Sequence, residues 1–319
     1  MKGAGRRRVV LHIGPPKTGS THLQDLLWFN QDRLHTDGVF VAGSGQRDHF
    51  NIGRDIRGEP QIPNHPGGTW TGTFDAALRD FEASGCHTAV ITDERLAKTG
   101  PARVDRTLSR LDGFDVVIVY CMREFSGLLT SQWQERIKNG VDLEFERWIE
   151  AVRKERRHDT FWRFHDVPAV LERWSADWDH RVEVITLPSS SSDDQLWNRF
   201  ATVVGWSIST DTDVERANES MGLVEADLLR RIQHELRDVP PNPRRTMILK
   251  QIIGQEILAR RGRSVPILIP EHHREWVETT NEVRIDFLRR APLRVTGTLS
   301  DLETSDHRFG TSRAVGHEA

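Results

Sequence analysis

Short apolar runs alternate along this chain with stretches whose apolar residues recur at helical spacing. Val9–Ile13, Gly38–Val41, His87–Thr92, Asp115–Met122 and Arg181–Leu187 are compact runs of the kind that form buried strands. Between them, Leu23, Leu26 and Leu27 lie on one helical face, as do Phe74, Ala77, Leu78 and Phe81, and Val104, Leu108 and Leu111. Pro101 is suited to a first helical position, and Asn139-Gly140 to a helix stop. Further helices are expected over Ser126–Lys138, Leu143–Glu155, Val167–Asp177 and Asp193–Val204, and then over Val224–Leu236, Thr246–Arg261 and His272–Leu288. Strand-helix alternation through residue 204 predicts an α/β fold of three layers, with a central parallel sheet, helices on both faces and a helical C-terminal part.

One domain is expected over residues 1–300, with a flexible polar tail over 301–319. Residues 42–68 are rich in Gly, Pro and Asn with little periodicity and read as a long functional loop on the acceptor side of a site. In a parallel sheet ligands sit beyond the carboxyl ends of the strands. That rule gathers Gly14–Thr21, Asp93–Arg95 and Arg123 along one edge.

The stretch VVLHIGPPKTGSTHLQDLL, from Val9 to Leu27, carries the strongest chemical signal. It reads as strand, glycine-rich loop and helix, with Thr18 and Ser20 as candidate N-caps. Such a loop directs backbone N–H groups and a helix N-terminus at one point, which is an anion site. Gly14 and Gly19 have the separation of a nucleotide-binding loop, whose lysine follows the second glycine. Here Ser20-Thr21 follow instead, and the lysine, Lys17, lies inside the loop.

Composition narrows the partners. The 319 residues carry a formal net charge of −3, so no global basic field points to nucleic acid. Two cysteines, Cys86 and Cys121, make neither a disulfide framework nor a zinc site and read as buried free thiols. No run of about 18 apolar residues suggests a membrane span, and the Arg6-Arg7-Arg8 start precedes too short an apolar run for a signal peptide. A cytoplasmic protein without an integral membrane segment is expected.

The arrangement P-K-T-G-S-T resembles the 5′-phosphosulfate-binding loop of sulfotransferases that use 3′-phosphoadenosine-5′-phosphosulfate (PAPS), and H-I-G-P-P-K-T-G-S-T-x-L-Q is similar to the bacterial branch of that family. The resemblance implies a P-loop-like fold and a donor bound at two anion sites. Gly14, Pro16, Lys17, Thr18, Gly19, Ser20 and Thr21 match the first. Arg123, closing a strand, with Ser131 eight residues on, matches the family's 3′-phosphate site. Glu124-Phe125 follow that Arg, where the family often has Asp-Pro. Taken alone, the same spacing fits a strand-end Arg in a surface salt bridge.

The resemblance also implies roles. Lys17 is the expected catalytic cation on the bridging oxygen. Glu94 is the first candidate for general base, with His49 and Asp48 second; Asp93-Glu94-Arg95 also fits an ordinary solvated turn. His12 reads as a packed core histidine. His22 stands where cytosolic relatives have Trp, Arg260-Arg261-Gly262-Arg263 only faintly echoes their late 3′-phosphate loop, and Asn218-Glu219-Ser220 is similar to a segment of bacterial relatives. No metal is required. The expected reaction is sulfuryl transfer from PAPS, leaving 3′-phosphoadenosine 5′-phosphate (PAP), to a hydroxyl of a carbohydrate, lipid or small natural product. Trp70, Trp133 and Trp162 are candidate pocket residues, the last two equally suited to a core. Two rivals stand beside this reading. One is a P-loop small-molecule kinase, with Asp93 as its Mg²⁺ ligand. The other is a PAP-binding module without turnover.

Overall fold

The computed structural model describes residues 6–43, 45–63, 65, 67–154, 160–188, 193–213, 221–240, 242–261 and 265–311. In chain order its elements begin with β1 (Arg8–Gly14), α1 (Ser20–Phe29), α2 (Gln31–Thr36), β2 (Val39–Val41), α3 (Gln46–Arg57), α4 (Thr73–Ser84) and β3 (Thr88–Thr92). A 3₁₀ turn at Glu94–Lys98 leads to α5 (Pro101–Ser109) and β4 (Asp115–Arg123). Next come α6 (Phe125–Lys138), α7 (Phe145–Lys154), α8 (Thr160–His165), α9 (Val167–Ser175), β5 (Arg181–Leu187) and α10 (Asp193–Val204). The chain continues through α11 (Leu223–Glu235) and α12 (Pro243–Met247), then a π-helical stretch, Ile248–Leu258, and ends with α13 (Arg274–Arg290) and β6 (Arg294–Thr296). Two compact units emerge: residues 1–123, 160–215 and 284–302 form the first, and 124–159, 216–283 and 303–319 the second.

The first unit holds one six-stranded sheet, all parallel, in the order β2-β3-β1-β4-β5-β6. Parallel strands buried on both faces need apolar residues at successive positions. The runs in β1 and β4 supply them, and alternate residues feed opposite cores. Val9, Leu11 and Ile13, with Val116, Ile118 and Tyr120, pack against α3, α4, α5, α9 and the end of α13. Val10, Val117, Val119 and Cys121 pack with α1, α2 and α10 on the other face. The expected parallel sheet covered on both faces is present. Cys86 and Cys121 are free and buried. Among the described residues no helix is long and apolar enough to cross a membrane.

Most of the departures from expectation are short or glycine-bearing segments. The stretch 42–68 is not a continuous loop, since α3 occupies its middle. Ile52 and Ile56, one turn apart, are buried, and Gly58 in the left-handed region closes the helix. Gly53 and the polar residues around it masked that periodicity. Trp70 is buried, with its ring N–H donating to the Glu59 carbonyl at 2.9 Å, so it is core rather than pocket lining. Trp162 is likewise buried. Strand β6 was too short and charged to read as one. The tail expected from residue 301 instead carries the buried Leu302 and Phe309 before residue 311.

The second unit is helical, with Trp133 buried and donating to the Leu143 carbonyl at 2.9 Å. Gln233 of α11 donates to the Ile137 carbonyl of α6 at 3.3 Å. Residues 269 and 309 form an isolated parallel bridge.

Replacing Ile52 by Ala should cost about 2–5 kcal/mol in urea denaturation, whereas the half-exposed Ile62→Ala should change stability by less than about 0.5 kcal/mol. Equal effects would refute the packed helix in this region.

Candidate functional site

β1 is central, and its outgoing connection leads toward β2 while that of β4 leads toward β5. The carboxyl ends of these two neighbours therefore flank a switch point, where α/β sheets bind ligands. The loop after β1 is built from unusual backbone. Gly14, Lys17 and Gly19 have φ of 99°, 70° and 83°. Glycine tolerates such values; lysine does so at a cost of about 1 kcal/mol. The turn aims the chain back onto α1, whose N-cap is Gly19 with no side-chain cap. Thr18 and Ser20 are therefore not the caps their residue type suggested. The Thr18 hydroxyl instead donates to the Pro15 carbonyl at 2.6 Å, holding the loop closed. The first helical bond runs from the Leu23 N–H to the Gly19 carbonyl, at 3.0 Å. The N–H groups of Ser20, Thr21 and His22 precede it, at the positive end of the helix dipole.

Arg123 ends β4 beside this loop, and its Nη1 donates to the Lys17 carbonyl at 3.4 Å. Arg284 donates to the Arg123 carbonyl at 3.3 Å. The loop and Arg123, singled out separately from the sequence, thus come together. Ser131 lies half-buried on α6, in the second unit.

Glu94 reaches the same edge through the end of β3. Backbone closeness sets its position: a Cβ built on Gly14 would lie 2.5 Å from both the Cα and the carbonyl oxygen of Glu94. Only glycine lets the two turns touch there. Gln24 of α1 donates to Glu94 Oε2 and to the Thr92 carbonyl, both at 3.4 Å. Burial, reinforced by the neighbouring Asp93, raises the Glu94 pKa above the ordinary carboxylate value. A carboxylate so shifted is a stronger proton acceptor.

Asp93 is fully engaged. Arg57 Nη1 donates to its Oδ2 at 2.6 Å, Arg95 Nε to Oδ1 and Nη2 to Oδ2 at 2.9 Å each, and the Arg95 N–H to Oδ1 at 3.0 Å. Burial works to raise its pKa, but Arg95 and Arg57 outweigh it and hold the group below the ordinary value. Arg95 also stacks over the Phe50 ring at 3.4 Å, with Arg54 at 4.3 Å from the same ring.

His49 is buried, and its Nδ1 accepts from the Thr92 N–H at 3.1 Å. The lone pair a base needs is thereby occupied, and the residue clamps α3 to the end of β3. Asp48 sits in the first turn of α3, where an acid complements the helix N-terminus. His12 bonds the Thr92 hydroxyl through Nδ1 at 2.7 Å and stands edge-on to Phe200, the packed role expected of it. Burial lowers both His12 and His49 to a pKa of about 4. Asn218-Glu219-Ser220, and Gly262 and Arg263, lie outside the described residues.

Two contributors were given no role from the sequence, Gln24 and Arg57, and Arg95 was placed on the edge without its bond to Asp93 being foreseen. Gln24 had a local signal, since it follows Ser20 by one helical turn and so shares its face. Arg95 had one too, since Asp93 two residues before it is a natural cap for the turn; Arg57 had none, because its meeting with Asp93 is a tertiary event.

Two outcomes follow from this geometry. Gly14→Ala combines left-handed strain with a backbone collision and should cost about 2–5 kcal/mol in urea denaturation; an unchanged midpoint would contradict the contact with Glu94. Histidines 12 and 49 are neutral when folded and take up protons when unfolded below the ordinary value of 6.5. Their contribution is present above pH 6.5 and is lost as pH falls toward about 4, by about 3 kcal/mol for each fully shifted group. His49→Gln should flatten the pH dependence of stability across that window, and a slope equal to the parent's would refute this.

Comparison with protein-family models, curated proteins and solved structures finds no match to this chain.

Proposed function

We propose that the chain is a PAPS-dependent sulfotransferase acting on an acceptor hydroxyl. The observation that carries this reading is the meeting of Arg123 with the Lys17 carbonyl at 3.4 Å, which joins two anion-binding strand ends at the switch point of the sheet. The donor has a 5′-phosphosulfate and a separate 3′-phosphate, and two linked cationic ends suit that pair of charges. Backbone N–H groups of Ser20, Thr21 and His22, with the Ser20 hydroxyl nearby, fit the oxygens of the first group, while the Thr18 hydroxyl holds the loop closed behind them. Arg123 fits the second, its planar fork matching phosphate oxygens. Ser131 has only the role that the family resemblance implies for it.

The donor supplies an activated sulfuryl group, and the protein's share is position and charge. Glu94 takes the acceptor proton as that oxygen bonds to sulfur. Lys17 neutralises the bridging oxygen as its bond to sulfur breaks. Gln24 orients the Glu94 carboxylate, a positioning role. His49 and Asp48 are less suited to the proton, the first with its lone pair occupied and the second at a helix N-terminus. The kinase alternative is weakened by Ser20 at the lysine position and by Asp93, whose oxygens are already bonded to Arg57 and Arg95.

Calorimetry should give Mg²⁺-independent PAP binding that Arg123→Ala weakens about 10- to 150-fold, the worth of a charge-assisted hydrogen bond. A preference for ATP over PAP would overturn the reading. In a PAP-release assay with phenol, alcohol and sugar acceptors, Glu94→Gln should lower kcat by about 10²–10⁴-fold with PAP affinity unchanged. The base must be ionised, so the acidic limb of kcat/KM should lie above the ordinary glutamate value and vanish in Glu94→Gln. Turnover equal to the parent's would remove Glu94 as base.

A further inference from the structure

The second unit contains a cluster that the proposed chemistry does not use. Glu146 stands in the first turn of α7, and His272 and His273 close the 3₁₀ turn Glu271–His273 that leads into α13. One ligand atom from each of the three lies within 4.8 Å of the others. His272 Nε2 is 3.1 Å from Glu146 Oε1. The two imidazole rings are 4.2 Å apart.

His273 is the informative member. It is only 2 % exposed, yet among the described residues neither of its ring nitrogens finds a hydrogen-bond partner. An unsatisfied buried polar group costs about 1–3 kcal/mol, and native structures rarely leave one without a reason. Packing against Trp276, whose ring centroid is 6.4 Å away, does not satisfy a nitrogen. Glu150, one turn beyond Glu146, adds a second carboxylate to the surroundings.

We infer that Glu146, His272 and His273 form a binding site for a divalent ion of the zinc class, with solvent in the fourth position. Two imidazoles and one carboxylate are the donor set of open zinc sites, and the nitrogen-rich set disfavours Mg²⁺ and Ca²⁺. Tetrahedral bonds of about 2.0–2.2 Å put ligand atoms about 3.3–3.6 Å apart. The His272–Glu146 pair is already slightly closer than that, and the exposed side chains of both can adjust toward the buried His273. The ion would tie the turn before α13 to the start of α7 and give His273 its missing partner. The site lies within the helical unit and is independent of the sulfuryl-transfer reading.

Co²⁺ and Zn²⁺ are the probes. The full chain, stripped with a chelator, should take up one equivalent of Co²⁺ with the visible absorption of a four-coordinate site, and Zn²⁺ should displace it. Zn²⁺ should also raise the melting temperature. His272→Ala and Glu146→Ala, both at exposed positions and so expected to fold, should each weaken Zn²⁺ binding at least tenfold and remove the thermal shift. Absence of the Co²⁺ band in the parent chain would overturn the site. So would a band and Zn²⁺ affinity that survive both substitutions, because the metal would then be held elsewhere among the histidines.

Discussion

The candidate site depends on a buried carboxylate held between two guanidiniums. Asp93 comes directly after β3, where the chain must turn, and Arg57 of α3 and Arg95 of the following turn close on it. Removing one member of such a set leaves a buried charge uncompensated, at about 3–5 kcal/mol. Gly53 makes the arrangement possible, since any Cβ there would collide with the Asp93 carboxylate. The residue after Asp93 is thereby sent over Gly14, and that residue is Glu94. The position of the candidate base is thus a consequence of an ion network that itself takes no part in proton transfer.

Charge at the other side of the site is local rather than global. A chain of net charge −3 attracts no anion from a distance. Oriented backbone groups at the start of α1, one lysine inside the loop and one arginine at the end of β4 concentrate positive potential where the sheet leaves a crevice. The bond from Arg123 to the Lys17 carbonyl makes the loop and the strand end a coupled pair, so a disturbance of either is felt by both.

Much of this was legible in the chain, for a physical reason. Strands buried on both faces must be apolar throughout, so β1, β3, β4 and β5 announced themselves, and parallel alternation then assigned Gly14, Glu94 and Arg123 to one edge. Helix α3 was obscured because Gly53, needed for Asp93, interrupts its apolar face. The partner of Asp93 on α3 was invisible, since Arg57 lies far from it along the chain. His49 was read from residue type and from its place in the resemblance. Its bond to the Thr92 N–H, which turns a candidate base into a clamp, exists only once α3 is docked. Thr18 misled for a similar reason, its hydroxyl serving the loop rather than the helix end.

Lys17 occupies a backbone conformation that glycine would adopt without strain. At this position relief of strain and retention of the loop's charge pull in opposite directions. The most stable loop is the one that abandons its cation, and selection for thermal resilience alone would drift toward it.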